Sequence, residues 1–107
     1  MDVSLLTIER FRTWLREQAP RSIVGQAGMI FRCPLACWIA ASSGRSCKVL
    51  QKVYHCPASS PARHLPAWAV DFSLLLDYGY LTTSRGRLMK HRPVTREECL
   101  LLLKQVS

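Results

Sequence analysis

Acidic residues are scarce in this sequence, and long apolar runs are absent. Its 107 residues contain 7 Asp and Glu against 15 Lys and Arg, giving a formal net charge of +8 at pH 7. The leucine runs at residues 74–76 and 100–103 are far too short to cross a bilayer. The chain does not open with a basic segment followed by an apolar core, so we expect no signal peptide. We therefore predict no membrane association and a cytoplasmic location.

Residues suited to acid–base or nucleophilic catalysis are also few. Asp71 and Asp77 lie six residues apart in one predicted helix. That spacing places them about 240° apart around the axis, so they cannot act on one substrate. His55 and Cys56 are adjacent, which on a strand directs them to opposite faces. We predict a protein that is not an enzyme, with no cofactor and no small-molecule substrate.

Cysteines number five, an odd count and too low a density for a disulfide scaffold. We therefore expect free thiols in a reducing compartment. Cys33 and Cys37 are four residues apart, a spacing admissible for zinc, with Cys47 and Cys56 as further candidate ligands. Buried cysteines acting as small hydrophobic residues explain the same pattern. We favour core thiols and assign no metal, keeping a zinc-stabilised structural domain as a second alternative.

The apolar periodicity predicts one domain, residues 1–107, of the α+β class. Its β component is small, one strand plus a possible hairpin. The strand is expected at residues 47–56, with Lys48, Lys52 and Tyr54 on a basic face. Residues 57–64 form a polar, proline-bearing loop, the segment most expected to be mobile. Four helices are predicted, at residues 5–19, 34–44, 66–78 and 95–106.

The second of these helices is expected to be the centre of the fold. Pro34 suits a first helical position and Gly44 suits a helix end. Because the residues between them are nearly all apolar, we expect burial on most sides. In the connector before this helix, Ile23-Val24 and residues 29–31 are expected to be short buried segments.

Basic residues are the main functional candidates. Residues 81–96 contain no acid, and Arg85 and Arg87 flank Gly86 in an expected turn. Such a tip can follow a phosphate backbone. Lys48 and Lys52 form a second, thinner patch. The candidate ligands of the main patch are Arg85, Arg87, Lys90, Arg92 and Arg96, and a third patch on the first helix would comprise Arg10, Arg12 and Arg16.

Residues 74–81, Leu-Leu-Leu-Asp-Tyr-Gly-Tyr-Leu, followed by Arg85-Gly86-Arg87, resemble the end of a winged-helix domain. In such domains a helix runs into a basic hairpin that touches DNA. Here the helix carries only Asp71 and Asp77 as charged residues, which departs from a helix that reads the major groove. The resemblance over residues 74–92 therefore implies contact through the charge of the hairpin alone.

A looser resemblance covers most of the chain. The runs Cys-Pro-Leu-Ala…Trp, Leu-Pro-Ala-Trp-Ala…Phe and the terminal Val-Thr…Glu…Leu-Leu are similar to small uncharacterised proteins of bacteria and their phages. This resemblance implies a role in a mobile element or in takeover of a host. Phage inhibitors of bacterial defence complexes, such as anti-CRISPR proteins, are often single domains of this size.

Taken together, these patterns predict a binding protein that engages nucleic acid or a ribonucleoprotein complex through a basic surface centred on residues 85–96. The alternative is a protein-interaction module, such as a phage-encoded inhibitor of a defence complex. Such a module would use exposed aromatic residues. Trp14, Tyr54 and Tyr80 are the candidates.

Overall fold

A computed structural model of the chain describes residues 5–78 and 92–106. These residues form four helices and five short strands, which confirms the α+β class. In chain order the elements are α1 (Ile8–Glu17), β1 (Ile23–Gln26), α2 (Pro34–Ser43), β2 (Lys48–Val49), β3 (Val53–His55), β4 (Arg63–His64), α3 (Ala67–Tyr78), β5 (Pro93–Thr95) and α4 (Arg96–Val106).

Local sequence signals set the ends of α2. Cys33 is its N-cap, and the Cys33 Sγ accepts a hydrogen bond from the Ala36 N–H at 3.4 Å. Gly44 ends the helix with φ 71°, a left-handed conformation that glycine adopts without steric cost. Burial on most sides holds for the first part of α2 only, because Ala41 and Ser42 are exposed.

The core centres on an aromatic cluster rather than on α2 alone. The Phe11 ring of α1 lies within 6.0 Å of four other ring centroids, on three helices. Phe11 itself is fully buried. Its partners are Trp14, Trp38, Trp68 and Phe72.

Helix α4 closes the core from the other side, packing against α1 and α3. Cys99, Leu102 and Leu103 are fully buried on its inner face. Thr95 caps the start of this helix, since the Glu98 N–H donates to Thr95 Oγ1 at 3.2 Å.

A two-stranded antiparallel sheet joins the connector to the segment before α4. Strand β1 pairs with β5, with Gly25 opposite Val94. A Cβ atom at Gly25 would lie 2.6 Å from the Pro34 nitrogen, so the strand can cross the start of α2 only with glycine there. The prediction of buried connector segments holds for Val24 and is wrong for Ile23, Ile30 and Phe31, which are exposed.

The predicted strand at 47–56 is a hairpin instead. Strands β2 and β3 are antiparallel around Gln51 and Lys52, and the Leu50 N–H donates to the Val53 carbonyl at 2.8 Å. The reversal places Val49 opposite Tyr54 on the buried face, so the prediction of Tyr54 on a basic outer face is wrong. No Gly, Pro, Asn or Asp marks this turn, which is why the residue pattern did not indicate it.

The predicted loop at 57–64 ends in a strand. Arg63 pairs with Tyr54, and His64 pairs with Val53, so β4 completes a three-stranded sheet in the order β2-β3-β4. The Leu65 N–H continues this pairing by donating to the Lys52 carbonyl at 2.9 Å. The possible hairpin, with its expected turn at Arg85-Gly86-Arg87, lies outside the described residues.

Candidate nucleic-acid interface

The main predicted basic patch is divided between described and undescribed parts of the chain. Arg85, Arg87 and Lys90 lie outside the described residues. Arg92 precedes β5 and Arg96 begins α4. These last two arginines are the part of the patch whose surroundings the structure describes.

Arg92 is paired with a carboxylate of its own chain. Its guanidinium donates to Glu98 Oε2 at 2.7 Å, and both side chains are less than a third exposed. Glu98 already supplies a counter-charge for this guanidinium, which makes Arg92 a weaker candidate for a phosphate contact. Arg92 therefore stabilises the start of α4 in this structure.

Arg96 ties the start of α4 to the end of α1. Its guanidinium pairs with Glu97 Oε2 at 2.9 Å and donates to the Gln18 carbonyl at 3.0 Å. The Arg21 N–H donates to the other oxygen of Glu97 at 2.9 Å. Although desolvation raises the pKa of Glu97, hydrogen bonds from its own backbone N–H, from Arg96 and from Arg21 together hold that pKa below its usual value. Arg96 thus has a structural role in joining two helices.

The second predicted patch lies on the three-stranded sheet. Lys48 stands opposite His55, and Val53 stands opposite His64. Because alternate residues of a strand share a face, these four side chains project from the side opposite to buried Val49 and Tyr54. Exposed Lys52 lies in the turn of the hairpin, and exposed Arg63 lies on the edge strand β4. Arg63 stands opposite Tyr54, so it projects from the other face of the sheet than Lys48 and His64 do. We call Lys48, Lys52 and His64 the basic sheet.

No carboxylate occurs near the basic sheet in the sequence. The last acid before it is Glu17 and the next is Asp71, so residues 18–70 contain none. Within the described part of the chain, neither Lys48 nor Lys52 forms an ion pair. A cationic surface without its own counter-charges suits a polyanionic partner.

Sequence reasoning missed Arg63 and His64 because their segment has the composition of a loop. The signal that could have identified them is the acid-free stretch at 18–70, which is longer than the one at 81–96. The strand that brings these two residues beside Lys52 depends on pairing between residues distant in sequence.

The cysteines divide into one pair and three single thiols. Cys47 and Cys56, which flank the hairpin, form a disulfide. Cys33, Cys37 and Cys99 are free. The prediction of free thiols is therefore wrong for Cys47 and Cys56.

The four cysteines considered as a zinc set are not brought together. Cys33 caps the start of α2, whereas Cys56 Sγ lies 3.2 Å from the hydroxyl of Ser43, the last residue of that helix. A ten-residue helix is about 15 Å long, far beyond the reach of one metal ion. Among the described residues, no three His, Cys, Asp or Glu side chains form a metal-binding group.

Comparisons with family models, with curated proteins and with solved structures found no match to this chain. The resemblances to winged-helix domains and to small phage proteins therefore stay predictions. No helix in residues 5–78 or 92–106 combines the length and apolar character needed to span a bilayer.

Proposed function

We propose that this protein is a small non-enzymatic binding protein that engages nucleic acid, alone or in a ribonucleoprotein complex, through the basic sheet. The observation that carries this proposal is that Lys48 and His64 project from one face of the sheet, with exposed Lys52 in its turn, within a stretch that lacks carboxylates. Lysine and arginine contacts to phosphate supply most of the affinity of proteins that bind without base readout. The contacts predicted for Arg85, Arg87 and Lys90 lie outside the described residues and stay a prediction.

A salt titration tests the proposal directly. Binding of fluorescently labelled single-stranded RNA and of duplex DNA is measured by anisotropy between about 50 and 200 mM NaCl. The affinity is expected to fall steeply, because each phosphate contact releases a counterion. An affinity that stays flat over this range would contradict the proposal.

Two double variants locate the surface. Lys48→Gln/Lys52→Gln is expected to weaken binding by about tenfold at low salt and to reduce the salt slope by about 2. Arg21→Gln/Lys104→Gln removes the same charge from exposed positions outside every predicted patch and is the matched control, with an expected change below about threefold. Equal losses in both variants would show that net charge, and not the basic sheet, determines binding.

The alternative function, a protein-interaction module such as an inhibitor of a bacterial defence complex, has its own supporting observation. Of the aromatic residues first considered for it, Tyr54 is buried, Trp14 is half-buried against Phe11, and Tyr80 lies outside the described residues. Phe31, however, is 49% exposed. Exposed Ile30 precedes Phe31 in the chain, and the Ile30 carbonyl accepts a hydrogen bond at 2.8 Å from the N–H of Val49, which precedes exposed Leu50.

The two functions respond differently to nuclease. A ribonucleoprotein bridged by RNA is lost from a pull-down after nuclease treatment, whereas a direct protein partner is retained. Retention of a partner by the wild-type protein, and its loss from the Phe31→Ser variant, would favour the alternative. Both proposed functions assume the predicted cytoplasmic location.

A further inference from the structure

A cavity lies between α3, the turn at residues 28–30 and the β2–β3 hairpin. It has a volume of about 190 Å³, and most of its wall is apolar. An apolar cavity of about 150 Å³ is large enough to bind benzene. This cavity therefore has room for one six-membered ring. The apolar side chains that line its interior include Leu35, Val49, Phe72 and Leu76.

Two polar side chains of α3 line the same cavity. Ser73 and Asp77 are four residues apart, so they lie on one face of the helix. Ser73 is only 7% exposed. Its hydroxyl oxygen can accept a hydrogen bond from a ligand in the cavity.

The described residues supply no ion pair for the Asp77 carboxyl group. Its Oδ1 accepts a hydrogen bond from the Gly28 N–H at 3.0 Å. Burial raises the pKa of Asp77, against the effect of this hydrogen bond. A cationic group placed beside the carboxylate would favour its ionised form.

In the described wall of the cavity, neither the thiol nor any basic group changes the preference for a cation. Burial raises the pKa of Cys33 to about 12, so its thiol is neutral at physiological pH. No Lys or Arg is among the described residues that line the cavity. The cavity thus combines an apolar interior with hydrogen-bond acceptors and one acidic group, a combination that selects a small cation over an anion.

We propose that this cavity binds a small ammonium compound whose apolar body is about one ring in size. The ammonium nitrogen donates hydrogen bonds to Asp77 and to Ser73 Oγ, and the ring packs against Val49, Phe72 and Leu76. The compound is a ligand, not a substrate. This site and the basic sheet use different residues, so the failure of one proposal leaves the other intact.

Benzylamine is the probe, and benzyl alcohol and phenylacetate are its neutral and anionic counterparts. Each is titrated to about 10 mM into the full chain, and amide shifts are followed by NMR. We expect saturable shifts of the Gly28 and Asp77 amides with benzylamine. Benzyl alcohol is expected to bind at least about tenfold more weakly, because it lacks the charge-assisted hydrogen bond, and phenylacetate is expected to cause no shifts. The absence of shifts with benzylamine, or equal affinity for the alcohol, would overturn the proposal.

Substitutions on α3 assign the contacts. Asp77→Asn keeps the side-chain shape and is expected to weaken benzylamine binding by about tenfold or more. Asp71→Asn is the matched control, since it removes a carboxylate from an exposed position of the same helix outside the cavity lining, and a change below about twofold is expected. Equal weakening by both variants would overturn the proposal. If Asp77→Asn does not fold, two other measurements decide the outcome. One is the Ser73→Ala variant, which is expected to weaken benzylamine binding by about threefold. The other is the comparison of the three probes on the wild-type protein.

Discussion

Phe11 is the residue on which the core depends most. It is fully buried and contacts the rings of Trp38, Trp68 and Phe72 on the two other helices around it. Aromatic pairs at such distances add to the free energy gained from apolar burial. Loss of this one ring would remove contacts from α1, α2 and α3 together.

The Phe11→Ala variant is therefore expected to lower the free energy of unfolding by about 3–5 kcal/mol. Urea unfolding monitored by circular dichroism and tryptophan fluorescence measures this change. Leu101→Ala is the control, because Leu101 is 49% exposed on α4, and a change within about 0.5 kcal/mol is expected. Similar losses in both variants would show that the aromatic cluster is not the centre of the core.

At the scale of elements, the helices follow from sequence more closely than the strands do. Each predicted helix is present, with ends within three residues of the prediction, because caps, prolines and apolar spacing are local signals. The longest described strand has four residues, and the partner of β1 is distant in sequence. Strand pairs that are this short, and that join segments this far apart in the chain, give only a weak signal in the residue pattern.

Gly25 marks the place where β1 crosses the start of α2. We expect Gly25→Ala to lower the free energy of unfolding by about 3 kcal/mol, since the new Cβ would lie 2.6 Å from backbone that cannot easily move. Gly44→Ala is a matched control with a left-handed φ of 71° and nothing within 4 Å of its Cβ, for which a loss of about 1 kcal/mol is expected. Thermal and urea unfolding of both variants measure the two losses in the free energy of unfolding. An equal loss would mean that β1 can shift away from α2.

The disulfide between Cys47 and Cys56 closes the β2–β3 hairpin over a sequence separation of 9 residues. Thiol titration in denaturant without reductant is expected to detect three thiols, rising to five after reduction. Chain-entropy arguments for a loop of this length give a stabilisation of about 2–3 kcal/mol. Cys47→Ser/Cys56→Ser should lose this stabilisation, whereas Cys37→Ser, the control, should not.

A count of five thiols in protein isolated from cells without reductant would contradict the disulfide. It would agree with the predicted cytoplasmic location, because disulfides are rare in that compartment. A count of three would instead favour an oxidising compartment.

The whole molecule is dominated by excess positive charge. Fifteen basic residues face seven acidic ones. The ion pairs Arg92–Glu98 and Arg96–Glu97 both involve the first turn of α4. Such an excess of positive charge attracts polyanions, and the repulsion among the basic side chains destabilises the folded state.

Raising NaCl from about 0.02 to 0.5 M is therefore expected to raise the midpoint of thermal unfolding, because salt screens repulsion among the cations. The Arg10→Gln/Arg16→Gln variant has less repulsion to screen and should gain less. Differential scanning calorimetry measures both midpoints. A midpoint that falls with salt would show that attractive ion pairs outweigh the repulsion.

The candidate interface was predictable in its chemistry but not in its position. Composition alone predicts a basic surface, and the pattern of residues 47–56 makes Lys48 and Lys52 candidates for it. Arg92 and Arg96 satisfy the same pattern, yet both are paired with carboxylates of their own chain. The sequence does not reveal this pairing, because Glu97 and Glu98 are equally suited to a capping role at the start of α4.

The sequence by itself determined the four helices, the main buried residues and the charge of the surface, since these depend on local spacing and on composition. Tertiary structure alone decided that residues 47–56 turn back on themselves, that Tyr54 is buried and that Arg63 lies beside the hairpin. It also placed Asp77 and Ser73 on a cavity. The physical reason is that strand pairing and cavity shape depend on contacts between residues far apart in the chain.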